Sequence, residues 1–296
     1  MNVLFTSINQ QPIAIKLITI GSPTSGNHTY KTDTLTSSQQ YSVGDWITTE
    51  SGFIEFSYDI KSGQNSSNYY KFVTSGADLA ISGLFYSTQN YAYCHLFDGC
   101  KTIVDASEVK FNDQASTVRY LGKHGCEEMF ANCTSLTATP SIFPRYPNEW
   151  VYAGMFFNCT SLKDCPITIN YGNTGAYSWM FMNCTSLTGA PTLGNFQMRP
   201  FIYNSMFQNC TSLTVAPNLP ANTLDEGCYK NMFMGCKNLS SISVGFANWG
   251  EDATENWVKG VASNGVFNKP NNLSAEYGVS RIPVGWNRTL ETITVD

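Results

Sequence analysis

Ten cysteines stand in this chain, and six of them fall at one place in a recurring phrase. Those six are Cys100, Cys133, Cys159, Cys184, Cys210 and Cys236, spaced 33, 26, 25, 26 and 26 residues apart. Thiols at this density can pair, ligate zinc or act as nucleophiles. No CxxC pair occurs, so the usual zinc spacing is missing and no metal is expected. The other four, Cys94, Cys126, Cys165 and Cys228, lie six to eight residues from one of the six, and their pairing is left open. The run His124-Gly125-Cys126-Glu127-Glu128 joins an imidazole, a thiol and acids once. Cys126, however, stands where other copies of the phrase carry tyrosine, in phase with Met and Phe, and so is expected to point inward. No GxSxG or phosphate loop is present. The carboxylates are too scattered to name a glycosidase pair. The chain is expected to be no enzyme and to need no cofactor.

The phrase itself dictates what must hold these residues. MFANCTSLTATP starts at Met129, MFFNCTSLKDCP at Met155, MFMNCTSLTGAP at Met180 and MFQNCTSLTVAP at Met206, with weaker copies from Leu96 and Met232. A period near 26 is the mark of a solenoid. Equivalent positions in neighbouring units then lie about 4.8 Å apart, which makes the six cysteines a buried structural ladder. A tyrosine precedes the Met-Phe pair in most copies, as Tyr93, Tyr152, Tyr177, Tyr203 and Tyr229. Counting from Tyr152, Met155, Phe156 and Cys159 fall at i+3, i+4 and i+7, which predicts a two-turn helix. Asn132, Asn158, Asn183 and Asn209 are expected to turn a corner in the left-handed region. Their Asn-Cys-Thr triplets match the glycosylation sequon, but the corner accounts for them.

After the corner the rhythm becomes two, with Leu213, Val215, Pro217 and Leu219 alternating, and Leu136, Leu162 and Leu187 in other copies. Pro140, Pro166, Pro191 and Pro217 should end each short strand, because proline has no amide proton for a ladder. About six units then make a body of roughly 25–30 Å. Residues 1–75 lack the repeat and read as short alternating strands, an antiparallel β domain that covers the open end of the stack. Residues 76–245 form the solenoid. Residues 246–296, with Trp249, Trp257, Val258, Val261 and Phe267, read as a C-terminal cap.

Charged residues are 13% and the net charge is −5, with no basic cluster, so nucleic acid is not an expected partner. No apolar run approaches 18 residues, so no membrane insertion is expected. The N-terminal segment lacks a basic leader pattern, and no export signal is expected.

The phrase M-F-x-N-C-T-S-L-T-x-x-P closely resembles the BspA-like leucine-rich repeats of Bacteroidetes surface proteins and of phages that infect those bacteria. The resemblance spans residues 80 to 245. Asn256-Trp257-Val258, Ile282-Pro283-Val284-Gly285-Trp286 and Tyr70-Lys71-Phe72 also look like segments that flank such repeats. It implies an α/β solenoid, a right-handed leucine-rich-repeat stack of 25–26-residue units, used for attachment and without catalytic residues. Surface members carry an export signal, whereas phage proteins leave by lysis. The expectation is therefore a phage virion protein, a fibre or host-recognition part assembled in the host cytoplasm. Its partners would be other virion proteins or an envelope glycan or protein receptor, with homo-oligomers open. The alternative is a bacterial cell-surface adhesin.

Recognition is expected from residues that break the repeat. Trp150 and Trp179 lie two residues from a repeat tyrosine, and Tyr146, Tyr171, Phe196 and Phe201 lie in the variable returns. Loops on a rigid scaffold carry recognition, and aromatics offer flat apolar faces with polar edges. The alternative for these six is packing against adjacent loops or a neighbouring subunit.

Overall fold

The structure is a computed structural model that describes residues 2–22, 28–50, 52–58, 64–85, 87–111, 121–140 and 147–291. Strands β1 (Asn2–Ser7), β2 (Ile13–Ile20), β3 (His28–Thr32), β4 (Gln39–Gln40), β5 (Ile47–Thr49) and β6 (Phe53–Tyr58) come first. They are followed by β7 (Tyr69–Gly76), β8 (Leu79–Phe85) and β9 (Ile103–Phe111). The period-two sequence puts Val3 and Phe5 of β1, and Ile13, Ile15 and Leu17 of β2, on buried faces. One sheet runs β4-β3-β6-β1-β8-β9 and a second runs β5-β2-β7. Their faces meet through Phe5 and Phe72, whose ring centroids lie 5.0 Å apart edge to face.

Both sheets continue into the repeat. On one side β8 pairs in parallel with β9, and Asp105 of β9 bridges to Ala138 of the next coil. On the other, Phe72 donates its N–H to the Leu96 carbonyl at 2.8 Å and accepts from the Cys100 thiol at 3.1 Å. The sandwich therefore supplies the first rung of the stack. The chain is a β-solenoid of about eight turns.

The predicted helices do not form, and no α-helix occurs among the described residues. In their place each coil carries a ribbon of consecutive β-turns. In the coil Trp150–Cys159 the N–H groups of Trp150, Tyr152, Gly154, Phe156 and Asn158 point to the next coil. Their acceptors are the carbonyls of Thr174, Ala176, Ser178, Met180 and Met182, at 2.8–3.0 Å, and the neighbouring coils pair in the same way. The alternate N–H groups turn back three residues, Ala153 to Trp150, Met155 to Tyr152, Phe157 to Gly154 and Cys159 to Phe156. Every fourth residue is left-handed, with φ of 56° at Trp150, 59° at Gly154 and 59° at Asn158. Such a residue breaks the i→i−4 ladder that a helix requires. Glycine and asparagine bear that conformation at least cost, and Asn132, Asn158, Asn183 and Asn209 all adopt it, as the corner reading expected.

The return side pairs only briefly. β10 (Thr168–Ile169) meets β11 (Thr192–Leu193) in parallel, and Asp164 bridges to Gly189. These pairings flank Pro166 and Pro191, so the proline interrupts the ladder and does not end it. The Leu213–Leu219 alternation holds only in part. Leu213, Pro217 and Leu219 are buried, but Val215, whose backbone bridges to Ser241, is 57% exposed.

Inside, like residues stack on like. Phe72, Phe97, Phe130, Phe156, Phe181, Phe207 and Phe233 form a file with centroids 5.1–5.8 Å apart. Tyr152, Tyr177, Tyr203 and Tyr229 form a second, spaced 5.8–6.0 Å. All ten cysteines are free and buried. The ladder thiols donate to backbone carbonyls of the preceding coil, Cys159 to Phe130, Cys184 to Phe156 and Cys210 to Phe181, each at 3.1 Å. A buried Phe contributes about 1.5–3 kcal/mol, against about 1 kcal/mol for a neutral hydrogen bond. Residue for residue, the aromatic files contribute more than the thiol hydrogen bonds.

Residues 246–291 continue the coils. Tyr229, Asn231, Phe233 and Gly235 donate to Ala253, Glu255, Trp257 and Lys259. Strands β12 (Ser241–Ser243), β13 (Val266–Pro270) and β14 (Asn287–Glu291) pair in parallel. Trp257 takes the place of the phenylalanine of the file, and its indole N–H reaches the Arg281 carbonyl at 2.9 Å. Trp249 and Trp286 likewise donate to the carbonyls of Ser274 and Ala262.

Candidate recognition groove on the return loops

The left-handed positions of the turn ribbon line up in outer columns from coil to coil. One column reads Tyr91, His124, Trp150, Gly175, Phe201 and Gly227, and the next reads His95, Glu128, Gly154, Trp179, Ser205 and Asn231. Aromatic and glycine exchange places between neighbours. A Cβ on Gly175 would lie 2.3 Å from Trp150, one on Gly154 2.4 Å from Trp179, and one on Gly227 2.5 Å from Phe201. Trp150, Trp179 and Phe201 are thus half-buried wedges laid over the backbone of an adjacent coil. Three of the six predicted binding residues are coil-to-coil packing. A third column, Asn132, Asn158, Asn183 and Asn209, bonds along itself, Asn158 donating to Asn132 at 2.9 Å and Asn209 to Asn183 at 3.0 Å.

The candidate chemistry of the thiol–imidazole run also resolves into structure. His124 Nδ1 lies 2.8 Å from a Glu127 oxygen and its ring stacks on Tyr91 at 4.5 Å. Cys126 is fully buried, and burial pushes its thiol well above the ordinary range. Burial likewise raises Cys100 and Cys236 to about 12, so these are inert thiols. Beside them His95 stacks on Tyr69 at 4.6 Å and lies 3.6 Å from Asp98 and 3.4 Å from Glu128. Burial works against the Asp98 carboxylate, but the nearby His95 imidazole and the hydrogen bonds from Asn132 and Lys71 outweigh it and hold the group below its usual range. Among the described residues no group of three or more His, Cys, Asp or Glu side chains is placed to hold a metal ion. Nor is any helix there long and apolar enough to cross a membrane.

Two predicted residues come together. Tyr171 follows β10 and Phe196 follows β11, and both line a groove of about 440 Å³ between the returns of successive coils. Asn148, Asn173, Gln197 and Arg199 share its walls. Tyr171 is 38% exposed, while Phe196 is half-buried and meets the Tyr203 ring edge to face at 6.5 Å. The loop is held from within, where the buried Tyr177 hydroxyl donates to the Tyr171 carbonyl at 2.9 Å. Asn148 donates its side-chain amide to the Leu121 carbonyl at 3.1 Å, and the Asn173 side chain accepts from the Thr174 N–H at 2.8 Å. Rigid supports of this kind fix loop residues in place, which lowers the entropy lost on binding. Tyr146 lies outside the described residues.

Sequence reasoning missed Asn148, Asn173, Gln197 and Arg199. The signal for the last was available, because Arg199 is the single arginine between residues 147 and 245 and lies three residues from Phe196. A flat exposed aromatic, three amide side chains and one guanidinium in a concave site can stack on and hydrogen-bond a polar ligand. No protein-family model, curated protein or solved structure matches this chain.

Proposed function

We propose that the chain is a non-enzymatic recognition protein of the BspA-like leucine-rich-repeat class and a component of a phage particle. In this reading the solenoid is the scaffold and the return-loop groove binds a glycan of the bacterial envelope. The single observation that carries the reading is the groove, where Tyr171 and Phe196 from successive returns meet beside amide and guanidinium groups. Sugars present apolar C–H faces with a rim of hydroxyls, and an aromatic with amide neighbours complements both. The repeat phrase supports the family and the phage setting by resemblance alone.

A glycan array probed with the intact chain tests the groove. Wild type should bind a defined subset, Tyr171→Ala should lose the signal by about tenfold or more, and Val215→Ser, at an exposed position outside the groove lining, should keep it. Binding that is unchanged in Tyr171→Ala would overturn the groove assignment. Fractionation tests the setting. Recovery in purified phage particles is expected, whereas recovery in the bacterial outer membrane would assign the chain to cell-surface adhesion.

A further inference from the structure

We infer that the groove selects an acidic sugar, and that Arg199 binds its carboxylate. The inference rests on the recognition reading above and names the ligand class of that same site. Among the described residues no acidic side chain lines the groove and no ion pair engages Arg199. Some cations of the chain, Lys71, Lys123 and Arg281, each sit 2.8–3.2 Å from a carboxylate, whereas Arg199 shares the groove wall with aromatic and neutral side chains. Arg199 is exposed at the groove wall with its five N–H donors uncommitted to any acid described.

A guanidinium is a planar fork that matches a carboxylate with two parallel N–H···O bonds. Phosphate would satisfy the same fork, but the rest of the wall argues for a sugar acid. Tyr171 offers a ring face for an apolar C–H surface, and Asn148, Asn173 and Gln197 offer donors and acceptors together, which suit hydroxyls. A volume of about 440 Å³ accepts one or two sugar units. Arg199 then supplies selectivity for the acid and Tyr171 supplies affinity for the ring.

The test uses the intact chain on an array that carries uronic-acid and nonulosonic-acid glycans beside their carboxyl-reduced counterparts. The strongest acidic ligand is then titrated by calorimetry. The acid should bind on the order of tenfold or more above its reduced counterpart, the value of a charge-assisted pair. Arg199→Gln should lower the acid to the level of the reduced glycan and leave the reduced glycan unchanged. Tyr171→Ala should weaken both. Arg199→Gln is a surface change, and an unchanged melting curve will show that it folds. Equal binding of acid and reduced glycan, or a preference that survives Arg199→Gln, would overturn the acid assignment while Tyr171-dependent binding left the recognition reading standing. No glycan binding at all would overturn both. Arg199-dependent binding of phosphorylated glycans alone, or of a polyglutamate peptide alone, would reassign the groove to those ligands.

Discussion

At the scale of single residues, the cysteine column shows how a reactive side chain is made inert. Each thiol is shut away from water, and the ladder thiols donate to a carbonyl one coil back, so the thiolate is the disfavoured form. The sign of the consequence follows directly. A thiol whose folded pKa is raised stabilises the fold fully below its unfolded value of about 8.5, and that contribution drains away as pH rises toward the folded value. For Cys100, Cys165, Cys228 and Cys236 the window runs from about 8.5 up to about 12. Melting temperature should therefore fall steeply above pH ~8.5, and Cys184→Ala combined with Cys210→Ala should flatten that fall. A melting temperature that is level to pH ~10 would show that the thiols ionise freely in the fold. Trp150 and Trp179 teach the same lesson for aromatics, since residues off the inward face of the repeat can still be consumed by packing.

At the scale of elements, the turn ribbon explains both what the sequence disclosed and what it hid. Tyr152, Met155, Phe156 and Cys159 are all buried, as the helical reading required. Over eight residues, however, a period of 3.6 and a period of four bury the same positions, so burial spacing could not separate the two. The separating signal was present elsewhere. Gly227, Asn231 and Gly235 stand four apart, as do Gly154 and Asn158, or Asn256 and Gly260, and all carry positive φ. A helix has no use for a residue tolerant of the left-handed region at every fourth place. The same logic made the corner asparagines and the buried ladders legible, because each depends only on local chemistry repeated in register. The groove was half legible, since Tyr171 and Phe196 break the pattern visibly, while the pairing of returns that brings Asn148 and Arg199 beside them depends on coil stacking. The ribbon makes a paired prediction. Gly175→Ala, at φ 61° with Trp150 over it, should cost about 2–4 kcal/mol in chemical denaturation. Gly260→Asn, at φ 80° with its nearest neighbour 3.7 Å away, should change stability by less than about 1 kcal/mol. Equal costs at the two sites would remove the tryptophan wedge from the account.

At the scale of the molecule, the expected boundaries near residues 75 and 245 are crossed by continuous ladders. Phe72 begins the same file that Phe233 and Trp257 finish, and β8 hands its pairing to β9 across the first join. Stacks of this kind draw stability from nearest-neighbour interfaces. Removal of the sandwich strands would leave the coil at Leu96–Cys100 without its Phe72 partner, so residues 90–296 alone should be markedly less stable than the full chain in a denaturant titration. A truncated chain of unchanged stability would show that the sandwich is an independent domain.

The exchange of aromatic and glycine between neighbouring coils carries one more consequence. Units with near-identical phrases look interchangeable, and a gene built from them can lengthen or shorten by recombination in steps of one period. Yet Trp150 needs the glycine of the following coil, Trp179 that of the preceding one, and Phe201 again that of the following one. Each coil is therefore keyed to a particular neighbour. A duplication that sets Trp150 against a second Trp150 coil would place bulk where the backbone must pass, so near-identical phrases do not make these coils interchangeable.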